Sequence, residues 1–178
     1  MEKNIVRRIA LIGAESTGKT TLAASLALRF NTLWVPELAR DYVSRNQHQI
    51  SPEEIESISR AQLAEEDKAA ANANQLLFTD TEFIIAKVWC EDVYNTCPDW
   101  IIEMTKQHRY DLYLLTSNDL PWIPDPVRIN AQRRDYFFNL YKKELEKLNV
   151  PFEVVSGRYE NRLFNAVKII KKYFPDID

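Results

Sequence analysis

Short apolar runs recur along the chain at the spacing that separates strands in an alternating α/β protein. The predicted strands cover residues 7–12, 33–36, 76–79, 112–115 and 150–155. The fourth run, LYLL at residues 112–115, is apolar throughout rather than alternating. A continuous run of this kind is typical of a strand buried on both faces of a parallel sheet.

Amphipathic segments fill the intervals between these strands. Helices are predicted over residues 20–28, 52–72, 83–89, 100–104, 133–148 and 161–174. The second helix has the clearest start, because Ser51 can cap it, Pro52 suits its first position and Glu54 favours its dipole. Strands and helices that alternate in this way predict a three-layer α/β fold with a mainly parallel, five-stranded sheet. We expect one domain over residues 1–178.

Composition is that of a soluble globular protein. Of the 178 residues, 46% are hydrophobic and 28% are charged, and the net charge is −3. This charge gives no basic footprint for nucleic acid, and no apolar run approaches the ~20 residues that span a bilayer. Because the first predicted strand begins near residue 7, we expect no secretory signal. We therefore expect a cytoplasmic protein that has neither nucleic acid nor a membrane as its partner, and the sequence leaves its oligomeric state open.

The most specific motif follows the first strand. Residues 13–20 (GAESTGKT) match the phosphate-loop pattern G-x-x-x-x-G-K-[ST] and contain two of the chain's three glycines. In such a loop the backbone N–H groups face phosphate oxygens, Lys19 reaches the β- and γ-phosphates, and Thr20 offers its hydroxyl to Mg²⁺. The residues expected to bind the nucleotide are Gly13, Ala14, Glu15, Ser16, Thr17, Gly18, Lys19, Thr20 and Thr21. The motif predicts ATP and Mg²⁺ as cofactors and a catalytic Lys19, and the alternative is a structural turn that shares the pattern.

Charged residues follow the second and third predicted strands. Because the carboxyl ends of parallel strands share one edge of a sheet, Glu37, Arg40 and Asp80 are expected to lie near the phosphate loop and the substrate. Asp80 is predicted to hold Mg²⁺ together with Thr20, unless it only caps the following helix. Glu37 is predicted to accept a proton from a substrate hydroxyl, unless it forms a surface pair with Arg40.

A proline-rich loop at residues 117–126 follows the fourth strand and carries Trp122. Its stiff, polar surroundings favour stacking of the indole on a planar ring over packing beneath the loop. Trp89, on an apolar helix, is either a second substrate contact or a packing residue. Trp34 and Trp100 are assigned to the core.

Three arginines, Arg128, Arg133 and Arg134, lie on that loop and at the start of the next helix. Phosphoryl transfer builds negative charge that an arginine folding over the site can neutralise. We therefore take Arg133 and Arg134 as catalytic candidates. The alternative for each arginine is an ordinary solvated helix face.

Taken together, these segments resemble the ribosylnicotinamide kinase domain of NadR-type proteins over nearly the whole chain. The matching stretches are residues 13–22 (GAESTGKTTL), 36–42 (PELARDY), 79–82 (TDTE), 110–112 (YDL) and 118–128 (NDLPWIPDPVR). The last of these is the most specific. The resemblance implies a P-loop kinase with a five-stranded parallel sheet and a small lid at about residues 117–135. It also implies phosphorylation of nicotinamide riboside by ATP at the 5′-hydroxyl, which gives nicotinamide mononucleotide for NAD synthesis.

The same resemblance assigns roles to residues of the loop. It implies that Trp122 stacks on the nicotinamide, that Asp125 and Arg128 belong to the substrate and lid region, and that Asp80 lies beside the reacting hydroxyl and Mg²⁺. The chain departs from familiar members at Pro126, where they have glycine, and in a shorter stretch between Arg128 and Arg133. Two other functions remain open, namely a kinase for another nucleoside or small alcohol and a regulatory ATPase without a phosphoryl acceptor.

Overall fold

A sheet of five parallel strands lies at the centre of the computed structural model, which describes residues 6–46, 49–107, 110–125 and 128–177. In these ranges the strands are β1 (Arg7–Ile12), β2 (Leu33–Val35), β3 (Leu76–Asp80), β4 (Leu112–Thr116) and β5 (Phe152–Val155). The helices are α1 (Lys19–Arg29), α2 (Leu38–Asn46), α3 (Pro52–Ala70), α4 (Phe83–Tyr94), α5 (Asp99–Gln107), α6 (Arg134–Leu148) and α7 (Glu160–Tyr173). The strand order is β2-β3-β1-β4-β5, and every neighbouring pair is parallel. The predicted α/β class and parallel sheet are confirmed.

Helices cover both faces of the sheet. Ile9 and Leu11 of β1 belong to an apolar cluster with α1 and α7, whereas Ala10 and Ile12 belong to a cluster with α4 and α6. Successive residues of a strand point to opposite faces, so this one strand supplies both clusters. The result is the predicted three-layer arrangement. Trp34, assigned to the core from the sequence, packs against the first cluster and is partly buried.

A third apolar cluster lies among α3, α4 and α5, beside the sheet. Its buried members are Ile50, Ile55, Cys90 and Ile101. Trp100 packs against this cluster as expected, and the guanidinium of Arg60 covers its ring at 3.9 Å from the ring centroid.

Helix α2 was not predicted. None of its residues is fully buried, and only Tyr42 and Val43 pack against the third cluster, so it carries too short an apolar stripe for periodicity to reveal. Polar contacts with α3 add to this packing. The backbone N–H of Leu38 donates to the Gln62 side chain at 3.0 Å, and the Tyr42 hydroxyl donates to Glu54 at 2.6 Å. The helix is fixed by its neighbour rather than by its own sequence pattern.

The other differences from the prediction are at the ends of elements. Helix α3 has the expected start, with a capping box between Ser51 and Glu54. Helix α4 runs five residues further than predicted and stops at Asn95, which adopts a left-handed conformation with φ 55°. No helix in the described part of the chain combines the length and apolar character that a bilayer crossing requires.

Candidate active site

The phosphate loop leaves the carboxyl end of β1 and leads into α1. Gly13 has φ 154° and Gly18 has φ 78°. A Cβ atom on Gly13 would lie 2.1 Å from the Thr116 hydroxyl, so this position excludes any side chain without rearrangement. The Thr17 hydroxyl also lies 2.7 Å from that of Thr116. The loop is therefore braced against the end of β4, through a threonine that the loop motif does not include.

Lys19 begins α1 and lies across the loop. Its ammonium donates to the carbonyl oxygens of Gly13 at 2.9 Å and Ala14 at 3.0 Å. The first N–H groups of α1 have no partner within the helix and favour anions. A cation and free N–H donors at one place suit a polyphosphate. Thr21, also predicted to bind the nucleotide, is exposed in the first turn of α1.

Thr20 and Asp80 meet beside the loop. The Thr20 hydroxyl donates to Asp80 Oδ2 at 2.5 Å, and the Asp80 side chain is completely buried. The other oxygen, Oδ1, has no hydrogen-bond partner among the described residues. Helix α4 is capped by Glu82, whose carboxylate accepts from the Ile84 N–H, so Asp80 is not its cap. The hydroxyl and carboxylate oxygens here are ligands that Mg²⁺ prefers.

Glu37 joins the same group of charges from the loop after β2. Burial raises the pKa of its carboxyl above the usual value, Lys19 lowers that pKa, and Asp80 raises it again. Arg40 and Glu15 add smaller effects of opposite sign. Burial likewise raises the pKa of Asp80. The structure thus brings Glu37, Lys19 and Asp80 within electrostatic reach of one another, as the topology of the sheet predicts.

The loop after β4 lies over this group. Arg40 forms an ion pair with Asp125 of that loop. The Arg134 guanidinium donates to the backbone oxygens of Leu120 at 2.9 Å and Ser16 at 3.3 Å, which ties the start of α6 to both loops. Trp122 is half-buried within the loop. The contacts of Arg40 and Arg134 attach this loop to the rest of the site, and a lid at about residues 117–135 stays a prediction.

Several predicted side chains have other partners. Arg133 forms two hydrogen bonds with Asp92, at 2.8 and 2.6 Å, and covers the ring of Tyr136. Arg128 donates to the Ile123 carbonyl oxygen at 3.1 Å. For Arg133 the arrangement favours the alternative of a solvated helix face, on which it pairs with Asp92, over a role on the phosphates.

Trp89 lies against the third cluster and meets Tyr94 edge to face, with ring centroids 5.8 Å apart. This position favours the packing alternative for Trp89. Pro126, the departure from the familiar loop, lies outside the described residues.

Arg162 was missed from the sequence, because an arginine in the first turn of an amphipathic helix looks like part of a solvated face. Its side chain is instead buried behind the phosphate loop. It donates to the carbonyl oxygens of Gly157 at 2.9 Å and Thr17 at 3.1 Å and forms an ion pair with Asp119. It therefore joins the phosphate loop to the ends of β4 and β5.

Comparison with known proteins places this site in a family. The family described as AAA domain matches residues 8–162. The trifunctional NAD biosynthesis/regulator protein NadR of Salmonella typhimurium is 29% identical over 174 residues, which cover 94% of this chain and 42% of that protein. NadR of Escherichia coli matches to the same extent. This chain thus spans less than half the length of these relatives.

Solved structures support the fold. A NadR structure in complex with NR superposes with a TM-score of 0.78 at 21% identity, covering 96% of this chain and 52% of that chain. Thymidylate kinase from Candida albicans gives a TM-score of 0.67 at 13% identity, covering 97% of this chain and 94% of that chain. The P-loop kinase fold and the resemblance to NadR-type proteins, both predicted from motifs, are confirmed.

Proposed function

This chain belongs to the AAA domain family, and we propose that it is an ATP-dependent kinase that phosphorylates the 5′-hydroxyl of nicotinamide riboside. The observation that carries the proposal is the meeting of Lys19, Glu37 and Asp80 at the phosphate loop. In the proposed roles, Lys19 would bind phosphate, Glu37 would accept a proton and Asp80 would hold a metal ion, all around one point. The relatives suggest the substrate, since NadR is named for NAD biosynthesis and one NadR structure is a complex with NR.

The proposed reaction transfers the terminal phosphoryl group of ATP. The 5′-oxygen of the riboside forms a bond to the γ-phosphorus as the bond from that phosphorus to the oxygen bridging it to the β-phosphorus breaks, which leaves ADP. Glu37 accepts the hydroxyl proton, and burial helps because it raises the pKa of this carboxyl toward the range where a base works near neutral pH. Lys19 stabilises negative charge on the phosphoryl oxygens.

Mg²⁺ fits the pair formed by Thr20 and Asp80. The buried Asp80 Oδ1, which has no hydrogen-bond partner among the described residues, is the oxygen that such an ion or its water shell would satisfy. When bound, Mg²⁺ supplies positive charge to the phosphate oxygens. We propose that Thr20 and Asp80 hold it beside the nucleotide. A cytoplasmic location remains a prediction of the sequence.

The preference for nicotinamide riboside is proposed to depend on Trp122. The pyridinium ring of this nucleoside is planar and cationic, and the face of an indole attracts a cation. Asp125 lies three residues further along the same loop, but its carboxylate is paired with Arg40, so the attraction for a cationic ring is assigned to the indole. A neutral nucleoside gains the stacking contact but not this electrostatic attraction.

Product analysis by mass spectrometry tests the proposal. The protein is incubated with ATP, Mg²⁺ and either nicotinamide riboside, its reduced dihydro form, thymidine or deoxyadenosine. We expect nicotinamide mononucleotide as the main product. The charged riboside should be preferred over its uncharged dihydro form by roughly three- to thirtyfold in kcat/KM.

Two variants sharpen the test. Trp122→Ala should lose that preference and raise KM for the riboside while leaving KM for ATP nearly unchanged, and Trp122→Phe should keep part of it. Phosphorylation of thymidine or deoxyadenosine alone would support a kinase for another nucleoside. Release of free phosphate with no phosphorylated nucleoside would support a regulatory ATPase. Either result contradicts the proposed substrate.

A further inference from the structure

Two interior residues of the phosphate loop bind the lid. The Ser16 hydroxyl accepts a hydrogen bond from the Ile123 backbone N–H at 2.9 Å and lies 3.5 Å from the Pro121 carbonyl oxygen, to which it donates. Ser16 is buried and adopts a left-handed conformation, with φ 58°. Pro121 and Ile123 are the immediate neighbours of Trp122, so Ser16 forms hydrogen bonds with the lid on both sides of that residue.

Glu15 makes the second attachment. Its Oε2 accepts from the Asn130 backbone N–H at 2.9 Å, and its Oε1 lies 3.4 Å from the Asn130 side-chain amide, which donates to it. Hydrogen bonds to an ionised acceptor are roughly twice as strong as those between neutral groups. The lid is thus attached to the phosphate loop at residues 121–123 and again at residue 130. Asp125 and Arg128 lie between these two attachments in the sequence.

A carboxylate in a phosphate loop needs an explanation. Phosphate oxygens are anionic, and a like charge close to them weakens binding. The negative charge of Glu15 also raises the pKa of Glu37, so the site accommodates Glu15 at an electrostatic cost. The hydrogen bonds from Asn130 are the ones that this side chain accepts among the described residues.

We propose that Glu15 and Ser16 are positioning residues that couple the nucleotide site to the riboside site. A nucleotide that holds the backbone of the phosphate loop also holds both attachments, and with them the segment that carries Trp122. The riboside then meets a lid that is already ordered and binds more tightly. This inference rests on the proposed function, because it needs the riboside to bind against Trp122.

Coupling of this kind is reciprocal. If the nucleotide raises the affinity for the riboside by some factor, the riboside raises the affinity for the nucleotide by the same factor. Typical couplings between sites are about 5- to 150-fold. Removal of the attachments should reduce that factor toward one. Substitution of a residue that only supports the fold should weaken riboside binding equally with and without the nucleotide, so the factor stays the same.

Isothermal titration calorimetry measures the coupling directly. The dissociation constant of nicotinamide riboside is determined with and without saturating AMP-PNP and Mg²⁺, and that of AMP-PNP with and without the riboside. The variants are Ser16→Ala, which removes the hydroxyl, Glu15→Ala, which removes both acceptors, and Glu15→Gln, which keeps one acceptor oxygen. Glu146→Gln is the matched control. This exposed residue lies in the last turn of α6, which leads to the amino end of β5 and thus to the edge of the sheet opposite the phosphate loop.

In the unchanged protein and in Glu146→Gln we expect AMP-PNP to tighten riboside binding at least about fivefold. In Ser16→Ala and Glu15→Ala the factor should fall below about twofold, and Glu15→Gln should lie between. Melting temperatures identify a variant that fails to fold. If one of the two alanine variants does not fold, the coupling factor of the other one tests the inference.

Three results would overturn the inference. Riboside binding that is independent of AMP-PNP in the unchanged protein removes the coupling itself. Coupling that persists in both alanine variants shows that the attachments do not carry it. A protein that binds AMP-PNP but no riboside under any condition overturns the proposed function, and the inference with it. The first two results leave the proposed function intact.

Discussion

Arg162 makes the most demanding test of how the phosphate loop is held. Its guanidinium donates to the carbonyl oxygens of Gly157 and Thr17 and forms an ion pair with Asp119. The planar fork of an arginine can serve several acceptors in different directions, but the ammonium of lysine is a single point charge. The substitution Arg162→Lys keeps the charge and the pairing with Asp119 while it removes the reach to the two carbonyl groups.

The expected loss is worked from the two shortest of these hydrogen bonds, because Arg162 also donates to the carbonyl oxygens of Ser117 at 3.3 Å and Val155 at 3.5 Å. A hydrogen bond from a charged donor contributes about 1.5–3 kcal/mol to the free energy of unfolding, so two of them together contribute about 3–6 kcal/mol if their contributions add. Lysine retains some pairing, and neighbouring contributions do not add fully. We therefore expect Arg162→Lys to lower the free energy of unfolding by about 3 kcal/mol. For a chain of this length that corresponds to a fall in melting temperature of about 6–12 °C.

Differential scanning calorimetry and urea denaturation measure this change. Arg158→Lys is the matched control, because Arg158 is exposed and its Nε contacts only the Asp119 carbonyl oxygen, at 3.3 Å, among the described residues. It should melt within about 2 °C of the unchanged protein. If Arg162→Lys also melts within about 2 °C, the two carbonyl contacts do not stabilise the fold and the reasoning fails.

The remaining predictions concern the charges of the site and of the core. Lys19→Ala should lower kcat by at least about a hundredfold in a protein that melts normally, and near-normal turnover would contradict the kinase assignment of the loop. Glu37→Gln should lower kcat by about a hundred- to ten-thousandfold, whereas Asp80→Asn should mainly raise the Mg²⁺ concentration required, and titrations that give the opposite pattern would reverse the two roles. Burial raises the pKa of Glu66 to about 8 from an ordinary 4.5, so the folded state keeps a proton that the unfolded state loses as pH rises between these values. The contribution of Glu66 to the free energy of unfolding is therefore full at low pH and should fall across this window by about 1.4 kcal/mol per pH unit. In urea unfolding between about pH 5 and pH 8, Glu66→Gln should show a shallower fall than the unchanged protein. Equal slopes for the two proteins would show that Glu66 does not titrate this way.

The fold could be predicted from the sequence wherever buried apolar residues recur at a regular spacing. Apolar runs marked each strand, and the capping box at Ser51 marked the start of α3. Helix α2 was missed because only Tyr42 and Val43 pack against an apolar cluster, and polar contacts with another helix, such as the hydrogen bond from Tyr42 to Glu54, supply the rest. Periodicity reports the face that a helix buries, so a helix that buries little gives a weak signal.

The candidate site divides in the same way. Lys19, Thr20 and Asp80 could be predicted because a motif or a strand end fixes their positions. The roles of the adjacent residues Arg133 and Arg134 could not be distinguished from the sequence. One donates to Asp92 and the other to the phosphate loop, and only the three-dimensional positions of those acceptors separate them.

The four variable positions of the phosphate loop show why the motif alone describes only part of the site. Each has a partner distant in sequence. Ala14 is buried in the second apolar cluster, Glu15 binds Asn130, Ser16 binds Ile123, and the Thr17 hydroxyl meets that of Thr116. The fixed lysine and threonine are proposed to contact the nucleotide, whereas Gly13 is required because a Cβ atom would clash with Thr116. The variable residues contact the rest of this chain, and we therefore expect them to determine how the proposed nucleotide site is joined to the loop after β4.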